Sequence, residues 1–241
     1  MKELTKRTLS GILFVIILIV CIQYKYVCIG LFYVFGLICL TEFNRLIKHK
    51  SSASYLILTG IYLLFAFGER LFDNDEIINQ ISQIFHVLSI FVNLFLIRDL
   101  FSSRELPNLI SNQFINTTFY ISSGFVFLVL IAFNFGDYNP QIILGIFLLI
   151  WTNDSFAYLI GKNFGKQKLF ASISPKKTVE GFLGGVFFAA IGSYFIALIA
   201  PSLSFTNWLI LRVLVSVFGT LGDLVESKYK RQASVKDSGK I

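Results

Sequence analysis

Eight apolar runs alternate with polar segments along the chain. They cover residues 9–22, 26–40, 53–67, 84–97, 114–135, 142–160, 182–203 and 208–221. A helix needs about 20 mostly apolar residues to cross a bilayer, and several of these runs are shorter than that. The pattern predicts an all-α, polytopic transmembrane protein with about eight membrane helices.

The composition excludes an ordinary soluble domain. Of the 241 residues, 55% are hydrophobic and only 15% are charged, whereas roughly a quarter of the residues in an average soluble domain are charged. The mean hydropathy of +0.73 points the same way. We expect residues 1–241 to form a single integral membrane domain, with N-terminal helices over 1–110 and the active site within 111–241.

Basic residues follow every second apolar run. Of the 21 Lys and Arg residues, 18 fall on one side of this alternation; Lys25 and Arg70 fall on the other side, and Arg212 lies inside the last run. Because basic loops remain in the cytoplasm, both termini and the active face are predicted to be cytoplasmic, in the cell's inner membrane. Orientation explains the net charge of +7, so we expect no nucleic-acid partner.

The first of two polar-rich segments runs from residue 154 to residue 185. Asp154 lies near the end of an apolar run, where a carboxylate costs about 2.5–3.5 kcal/mol and usually faces a cavity or a partner. Lys176 and Lys177 are suited to binding phosphate. Adjacent lysines in such a loop are also typical anchors to anionic lipid, and this alternative stays open at this point.

The same segment contains signals for the start of a helix. Ser174 or Thr178 can cap the helix that follows, and Glu180 stands near its first turn, where a carboxylate is favoured. The sequence therefore predicts that the lysine-rich loop ends at a helix N-terminus.

The second polar-rich segment runs from residue 218 to residue 241. If the last helix continues past its apolar run, Asp223, Glu226 and Arg231 lie on neighbouring turns, and Lys230 follows Glu226 by one turn. Carboxylates such as Asp223 and Asp237 suit Mg²⁺, which binds one or two of them together with water and phosphate oxygens. A solvated helix end with alternating charges is the alternative interpretation.

Carboxylates for a metal, basic groups for phosphates and a membrane body together indicate phosphoryl or nucleotidyl transfer to a lipid. An ion-coupled membrane transporter is the alternative, because Asp154, Arg212 and Asp223 lie in or beside apolar runs. A nonenzymatic membrane protein that anchors lipid with its basic loops is a third interpretation.

Four sequence motifs support a family resemblance. They are DSFAYLIG at residues 154–161, SPKKTVEG at 174–181, GDLVESKYKR at 222–231 and KD at 236–237. Together they make the chain similar to the phosphatidate cytidylyltransferase family, also called CDP-diacylglycerol synthase, over nearly its whole length.

The resemblance implies an enzyme that condenses CTP with phosphatidic acid to give CDP-diacylglycerol and pyrophosphate. It implies a requirement for Mg²⁺, with a monovalent cation such as K⁺ assisting. The expected partners are therefore CTP, phosphatidic acid and membrane lipid, and a homodimer is the expected assembly.

The resemblance also implies roles for individual residues. The metal ligands would be Asp223 and Asp237, which with Lys230 and Arg231 form the catalytic set. The substrate-binding set would be Ser174, Lys176, Lys177, Thr178, Glu180, Asp154 and Lys236. In the family the signature continues with a Pro-Gly-His-Gly-Gly stretch and a further acidic group. We therefore expect residues 1–241 alone to lack one metal partner and to have low activity.

Overall fold

A computed structural model of the chain describes residues 2–71, 75–103, 105–107, 112–133 and 138–236. These residues form long helices and one short β-hairpin, and everything below refers to them. The helices are α1 (Lys2–Ile22), α2 (Lys25–Leu46), α3 (Ala53–Leu71), α4 (Asp75–Leu100), α5 (Gln113–Ala132), α6 (Pro140–Phe164), α7 (Val179–Ile199) and α8 (Phe205–Gln232). The hairpin strands are β1 (Lys168–Phe170) and β2 (Ser174–Thr178), between α6 and α7.

Each predicted apolar run corresponds to one helix. In the described part of the chain, six helices are long and apolar enough to cross a membrane, namely α2, α4, α5, α6, α7 and α8. The apolar stretches of α1 and α3, Leu9–Ile22 and Ala53–Gly68, are shorter. A multi-pass helical membrane protein is therefore confirmed, and the count of eight crossings stays a prediction.

The β-hairpin is a departure from the predicted all-α architecture. Its strands pair antiparallel, with Lys168 opposite Thr178 and Phe170 opposite Ser174. Strands of three and five residues that contain lysine and proline carry too few alternating apolar positions to be recognised from periodicity. The lysine-rich loop is therefore an ordered hairpin.

Polar caps fix where several helices begin. The side chain of Asn139 accepts a hydrogen bond from the backbone N–H of Gln141, and Pro140 takes the first position of α6. The side chain of Ser204 does the same for Asn207 at the start of α8. These are the residue types that satisfy the free N–H groups of a first helical turn.

The C-terminal ends of α2, α4, α6 and α8 lie on the same side of the molecule as the hairpin, which we call the hairpin side. The rings of Phe43 in α2 and Tyr229 in α8 are 5.1 Å apart. Phe101, directly after α4, lies with its ring 5.8 Å from that of Phe170 in β1. Helices that alternate in direction bring these four ends together, as the distribution of basic residues indicates.

A compact apolar cluster supports the hairpin side from within. Its buried members come from five different parts of the chain: Phe43, Val92, Leu96, Leu100, Leu106, Ile173, Leu224, Val225 and Tyr229. Burying one such side chain contributes roughly 1.5–3 kcal/mol. The cluster therefore holds the last turns of α8 in a fixed place beneath the hairpin.

Candidate active site

The hairpin is positioned by a close contact between α6 and α7. A Cβ atom built on Gly181 would lie 2.7 Å from the carbonyl oxygen of Ala157 and 3.0 Å from Cα of Gly161. Such distances are too short for real side chains, so the two helices approach this closely only because glycine lacks a Cβ. The contact fixes the end of α6 against the start of α7, and the hairpin connects these two points.

Thr178 joins the hairpin to α7. Its Oγ1 accepts a hydrogen bond from the backbone N–H of Gly181 at 3.1 Å, and the side chain is buried. The next backbone N–H, of Val179, donates to the carbonyl of Gln167 at 2.9 Å. Of the two capping residues that the sequence offered, Thr178 is therefore the N-cap, while Ser174 begins strand β2.

The carboxylate of Glu180 holds the loop that precedes β1. Its Oε2 accepts from the backbone N–H of Lys166 at 3.0 Å, and its Oε1 accepts from that of Gln167 at 3.1 Å. Both carboxylate oxygens thus accept hydrogen bonds from the backbone of the loop. Through these hydrogen bonds Glu180 holds the loop before β1 in place, so it positions the hairpin.

The central feature of the site is an ion pair between the hairpin and α8. The ammonium of Lys177 contacts Oδ2 of Asp223, with 29% of the lysine side chain and 51% of the aspartate side chain exposed. The neighbouring Lys176 is exposed. The two polar-rich segments therefore meet at one half-exposed pair that a ligand can reach.

Two further contacts involve the end of α8, one within the helix and one to the hairpin. Nζ of Lys230 lies 2.7 Å from Oε1 of Glu226, one turn earlier on the helix. Nε of Arg231 donates to the carbonyl of Ile173, just before β2, at 3.3 Å. Helix α8 continues past its apolar run to Gln232, which is the condition under which the sequence places these residues on neighbouring turns. Asp223 and Arg231 both contact the hairpin, and Lys230 lies about two turns beyond Asp223 on the same face of α8. We call Lys177, Asp223, Lys230 and Arg231 the cluster.

Asp154 and Lys236 of the expected set are not joined to this cluster by contacts among the described residues. Asp154 is exposed on α6, and its Oδ1 accepts from Nδ2 of Asn153 at 3.1 Å. Lys236 is exposed beyond the end of α8. Asp237, the second expected metal ligand, lies outside the described residues.

One polar residue in this region was missed by the sequence reasoning. Lys228 is only 9% exposed, and its Nζ donates to the backbone carbonyls of Asp99 and Ser102 at 2.7 and 2.8 Å. In the sequence it stands among Lys230, Arg231 and Lys236 and looks like another solvated cation. No local signal separates a buried lysine from exposed ones in such a run.

A cavity of about 550 Å³ lies on a different face of α8 from Asp223. The hydroxyl of Tyr229 and the side-chain amide of Gln232, both in its wall, have no hydrogen-bond partner among the described residues. The other residues in its wall are Phe43, Leu46, Ile47, Lys48, Glu105, Leu106, Pro107, Gln113, Asn116, Ala233 and Ser234. The Lys177–Asp223 pair is outside this wall, so the cavity is separate from the cluster.

The residues around Asp223 supply some, but not all, of the ligands that a divalent cation needs. Within the described ranges, no three His, Cys, Asp or Glu side chains come together. Mg²⁺, however, typically takes only one or two protein carboxylates and completes its shell with water and phosphate oxygens. Asp223 is a half-exposed carboxylate that already accommodates a cationic partner. Its chemistry therefore suits a metal that arrives together with a phosphate ligand.

Comparison with known proteins gives a consistent result. A model of the cytidylyltransferase family matches residues 5–241. The phosphatidate cytidylyltransferase of Bacillus subtilis is 35% identical over 248 residues, which cover 100% of this chain and 89% of the relative.

Two other similar proteins match over a shorter region. The phosphatidate cytidylyltransferase of Aquifex aeolicus is 44% identical over 54% of this chain and 48% of the relative. That of Staphylococcus aureus is 42% identical over 51% and 46%, respectively. In both cases the match spans about half of the relative's length.

Proposed function

The chain belongs to the cytidylyltransferase family, and we propose that it makes CDP-diacylglycerol from CTP and phosphatidate at the cluster around Lys177 and Asp223. The observation that carries the proposal is the ion pair between the hairpin and α8, because it brings both polar-rich segments to one reachable point. The family match favours this enzyme over an ion-coupled transporter or a nonenzymatic membrane protein.

The proposed reaction is a displacement at the α-phosphorus of CTP. A phosphate oxygen of phosphatidate forms a bond to that phosphorus, and the bond between the phosphorus and the bridging α–β oxygen breaks. Pyrophosphate leaves with the electron pair of that bond. Transfer at phosphorus depends mainly on positioning and on neutralising charge, so the residues that gather the two substrates carry most of the catalysis.

Both substrates are anions and repel each other as they approach. Two like charges about 4 Å apart near a protein surface repel by about 4 kcal/mol, and nearby cations offset this repulsion. We propose that Lys176, Lys177, Lys230 and Arg231 bind the phosphates and that Lys236 joins them. Ser174 begins β2, from which its hydroxyl can donate a hydrogen bond to a phosphate.

Three other residues of the expected set, Thr178, Glu180 and Asp154, lie outside the cluster. Thr178 and Glu180 support the hairpin through the hydrogen bonds described above, so we propose that they act on the substrates indirectly. Asp154 lies on α6 and would face a substrate from the helix that leads into the hairpin.

Asp223 is our proposed ligand for Mg²⁺, with Asp237 as a second. When bound, the metal would neutralise phosphate charge and orient the triphosphate. A monovalent cation such as K⁺ would add to this neutralisation.

The protein is a multi-pass membrane protein, and its relatives are bacterial. We propose that it lies in the cytoplasmic membrane with the hairpin side, where most basic residues are, facing the cytoplasm. CTP would then reach the cluster from the cytoplasm and phosphatidate from the membrane. A homodimer is the assembly we propose.

The test is conversion of labelled CTP to CDP-lipid by the purified chain in nanodiscs that contain phosphatidic acid and Mg²⁺. We expect CTP-dependent product, and we expect Asp223→Asn to lower turnover by about 100-fold or more, as the loss of a group that stabilises charge at the reacting centre does.

Glu105→Gln is the matched control, because Glu105 is an exposed carboxylate outside the cluster. We expect it to turn over like the unaltered protein. The unaltered chain is assayed in two forms: alone, and joined to the residues of the Bacillus subtilis relative that the match leaves uncovered. If neither form makes product, the proposed activity is refuted. Unchanged turnover in Asp223→Asn would remove Asp223 from the site.

A further inference from the structure

Lys228 is a buried cation that the proposed reaction does not use. Its side chain is 9% exposed and lies beside Leu224, Val225 and Tyr229, which belong to the apolar cluster of the hairpin side. Burying an ammonium is strongly unfavourable unless its donors are hydrogen-bonded and its charge is balanced. The surroundings of Lys228 must therefore meet both conditions.

The C-terminal end of α4 meets the first condition. Nζ of Lys228 lies 2.7 Å from the carbonyl oxygen of Asp99, 2.8 Å from that of Ser102 and 3.5 Å from that of Leu100. An ammonium has three N–H donors, and the last carbonyls of a helix lack partners within the helix and carry partial negative charge. Lys228 thus caps α4 from another helix.

The negative charge at the end of α4 bears on the second condition. The side chain of Asp99 is 2% exposed, so a carboxylate is buried at the same helix end whose carbonyl oxygens, with their partial negative charge, accept from Lys228. Removing the ammonium would leave that negative charge without its cation. The hydrogen bonds from Lys228 therefore fix both the depth and the rotation of α8 relative to α4.

The position of Lys228 on α8 links this contact to the cluster. At about 100° per residue, Lys228 points about 140° away from Asp223 around the helix axis. Asp223 contacts the hairpin through Lys177, and Arg231 contacts it through Ile173. The last turns of α8 are held from one side by α4 and from another by the hairpin.

We propose that Lys228 is a positioning residue for nucleotidyl transfer: it sets the rotation of α8 that aims Asp223 and Lys230 at the hairpin. This inference rests on the proposed function of the cluster. The expected partner group is the carbonyl end of α4, and Lys228 itself touches neither substrate.

The kinetic test compares Lys228→Met, Lys228→Arg and the control Lys50→Met in the full chain. Methionine is similar in length but donates no hydrogen bond, so we expect kcat/KM for CTP to fall by about tenfold or more, since small misplacements of reacting groups have effects of this size. Lys228→Arg keeps the charge and the donors and recovers most of the loss. Lys50 is exposed, and Lys50→Met leaves the rate unchanged.

A double variant separates positioning from simple stabilisation. If Lys228 aligns Asp223 with Lys177, then Lys177→Met reduces turnover less in the Lys228→Met background than in the unaltered protein. A merely structural role predicts equal fold-losses in both backgrounds. Equal losses, or normal turnover in Lys228→Met, would overturn the proposal.

A distance measurement keeps the test independent of activity. Nitroxide labels at Phe101 and Val235, both exposed, report the separation of the ends of α4 and α8. We expect a narrow distance distribution in the unaltered protein and in Lys228→Arg, and a broad one in Lys228→Met. Identical distributions in all three would overturn the contact. If the distributions differ while the unaltered chain makes no product, the proposed function fails and the α4–α8 contact stands.

Discussion

Two contact regions of this molecule are built in opposite ways. Between α6 and α7, backbone approaches backbone, and a Cβ on Gly185 would lie 2.8 Å from the carbonyl oxygen of Asn153. Between the hairpin and α8, the contact is an ion pair of two partly exposed side chains, Lys177 and Asp223. The first contact leaves no room for change, whereas the second can exchange its partners when an anionic ligand or a cation arrives. The comparison indicates that the α6–α7 contact is a rigid support, and that the charged cluster held by it can change its partners.

The largest effect is expected where the support is tightest. Gly185→Leu places a side chain where backbone already lies, and we expect it to destabilise the fold by about 3 kcal/mol or more. Thermal unfolding in detergent, followed by fluorescence, would measure this loss. Gly60→Leu is the control, because a Cβ on Gly60 meets nothing within 4 Å. If both variants unfold at the same temperature, the α6–α7 contact is not the rigid support described here.

The next largest effect is expected in the charged cluster and on activity alone. Lys177→Met removes a charged hydrogen-bond donor to phosphate, a contribution of about 1.5–3 kcal/mol, which corresponds to a loss of about 10- to 100-fold in kcat/KM for CTP. The unfolding temperature should hardly change, because partly exposed ion pairs contribute little stability. Lys168→Met, at an exposed position in the same hairpin, should behave like the unaltered protein. If Lys177→Met lost much stability but kept normal kinetics, the Lys177–Asp223 pair would be a structural support and not part of the binding site.

A smaller effect is expected at the junction of the two regions. Glu180→Ala removes the acceptor for the backbone N–H groups of Lys166 and Gln167, so the hairpin is held less firmly above α8. We expect kcat/KM to fall by about 3- to 10-fold, because two backbone N–H groups of the loop lose their charged acceptor and exchange it for water. Glu180→Gln, which keeps one acceptor oxygen, should lose less. Equal turnover in Glu180→Ala and the unaltered protein would show that the hairpin is held in another way.

The smallest effect is expected at Glu226. Its pairing with Lys230 spans one partly exposed helical turn, and such pairs contribute about 0.3–0.5 kcal/mol. Glu226→Gln should therefore change CTP turnover by no more than about twofold, and the change should shrink as salt is added. A loss as large as that of Lys177→Met would instead identify Glu226 as part of the binding machinery.

The sequence predicted the parts of this fold that depend on local pattern. The eight helices follow from apolar runs, and the continuation of α8 follows from its helical spacing of Asp223, Glu226 and Lys230. Thr178 was one of two predicted caps, and the structure selects it. Such features are encoded within a few residues of each other, so periodicity and residue type suffice to find them.

The parts that depend on long-range contacts were not predicted. The hairpin pairs residues whose side chains show no alternation, and its place depends on the glycine contact between α6 and α7. Lys228 is buried only because the end of α4, more than 120 residues earlier in the chain, supplies its acceptors. Neither the Lys177–Asp223 pair nor the carbonyl cap of α4 can be recognised from spacing along one segment.

The central claim is that the hairpin lysine and the α8 carboxylate act on the nucleotide as one unit. Its most direct test is a double-mutant cycle of Lys177→Met and Asp223→Asn, with CTP affinity measured in nanodiscs at constant Mg²⁺. The account predicts that the double variant loses clearly less binding free energy than the two single losses added together. Losses that add to within about 0.5 kcal/mol, as expected for independent sites, would contradict it.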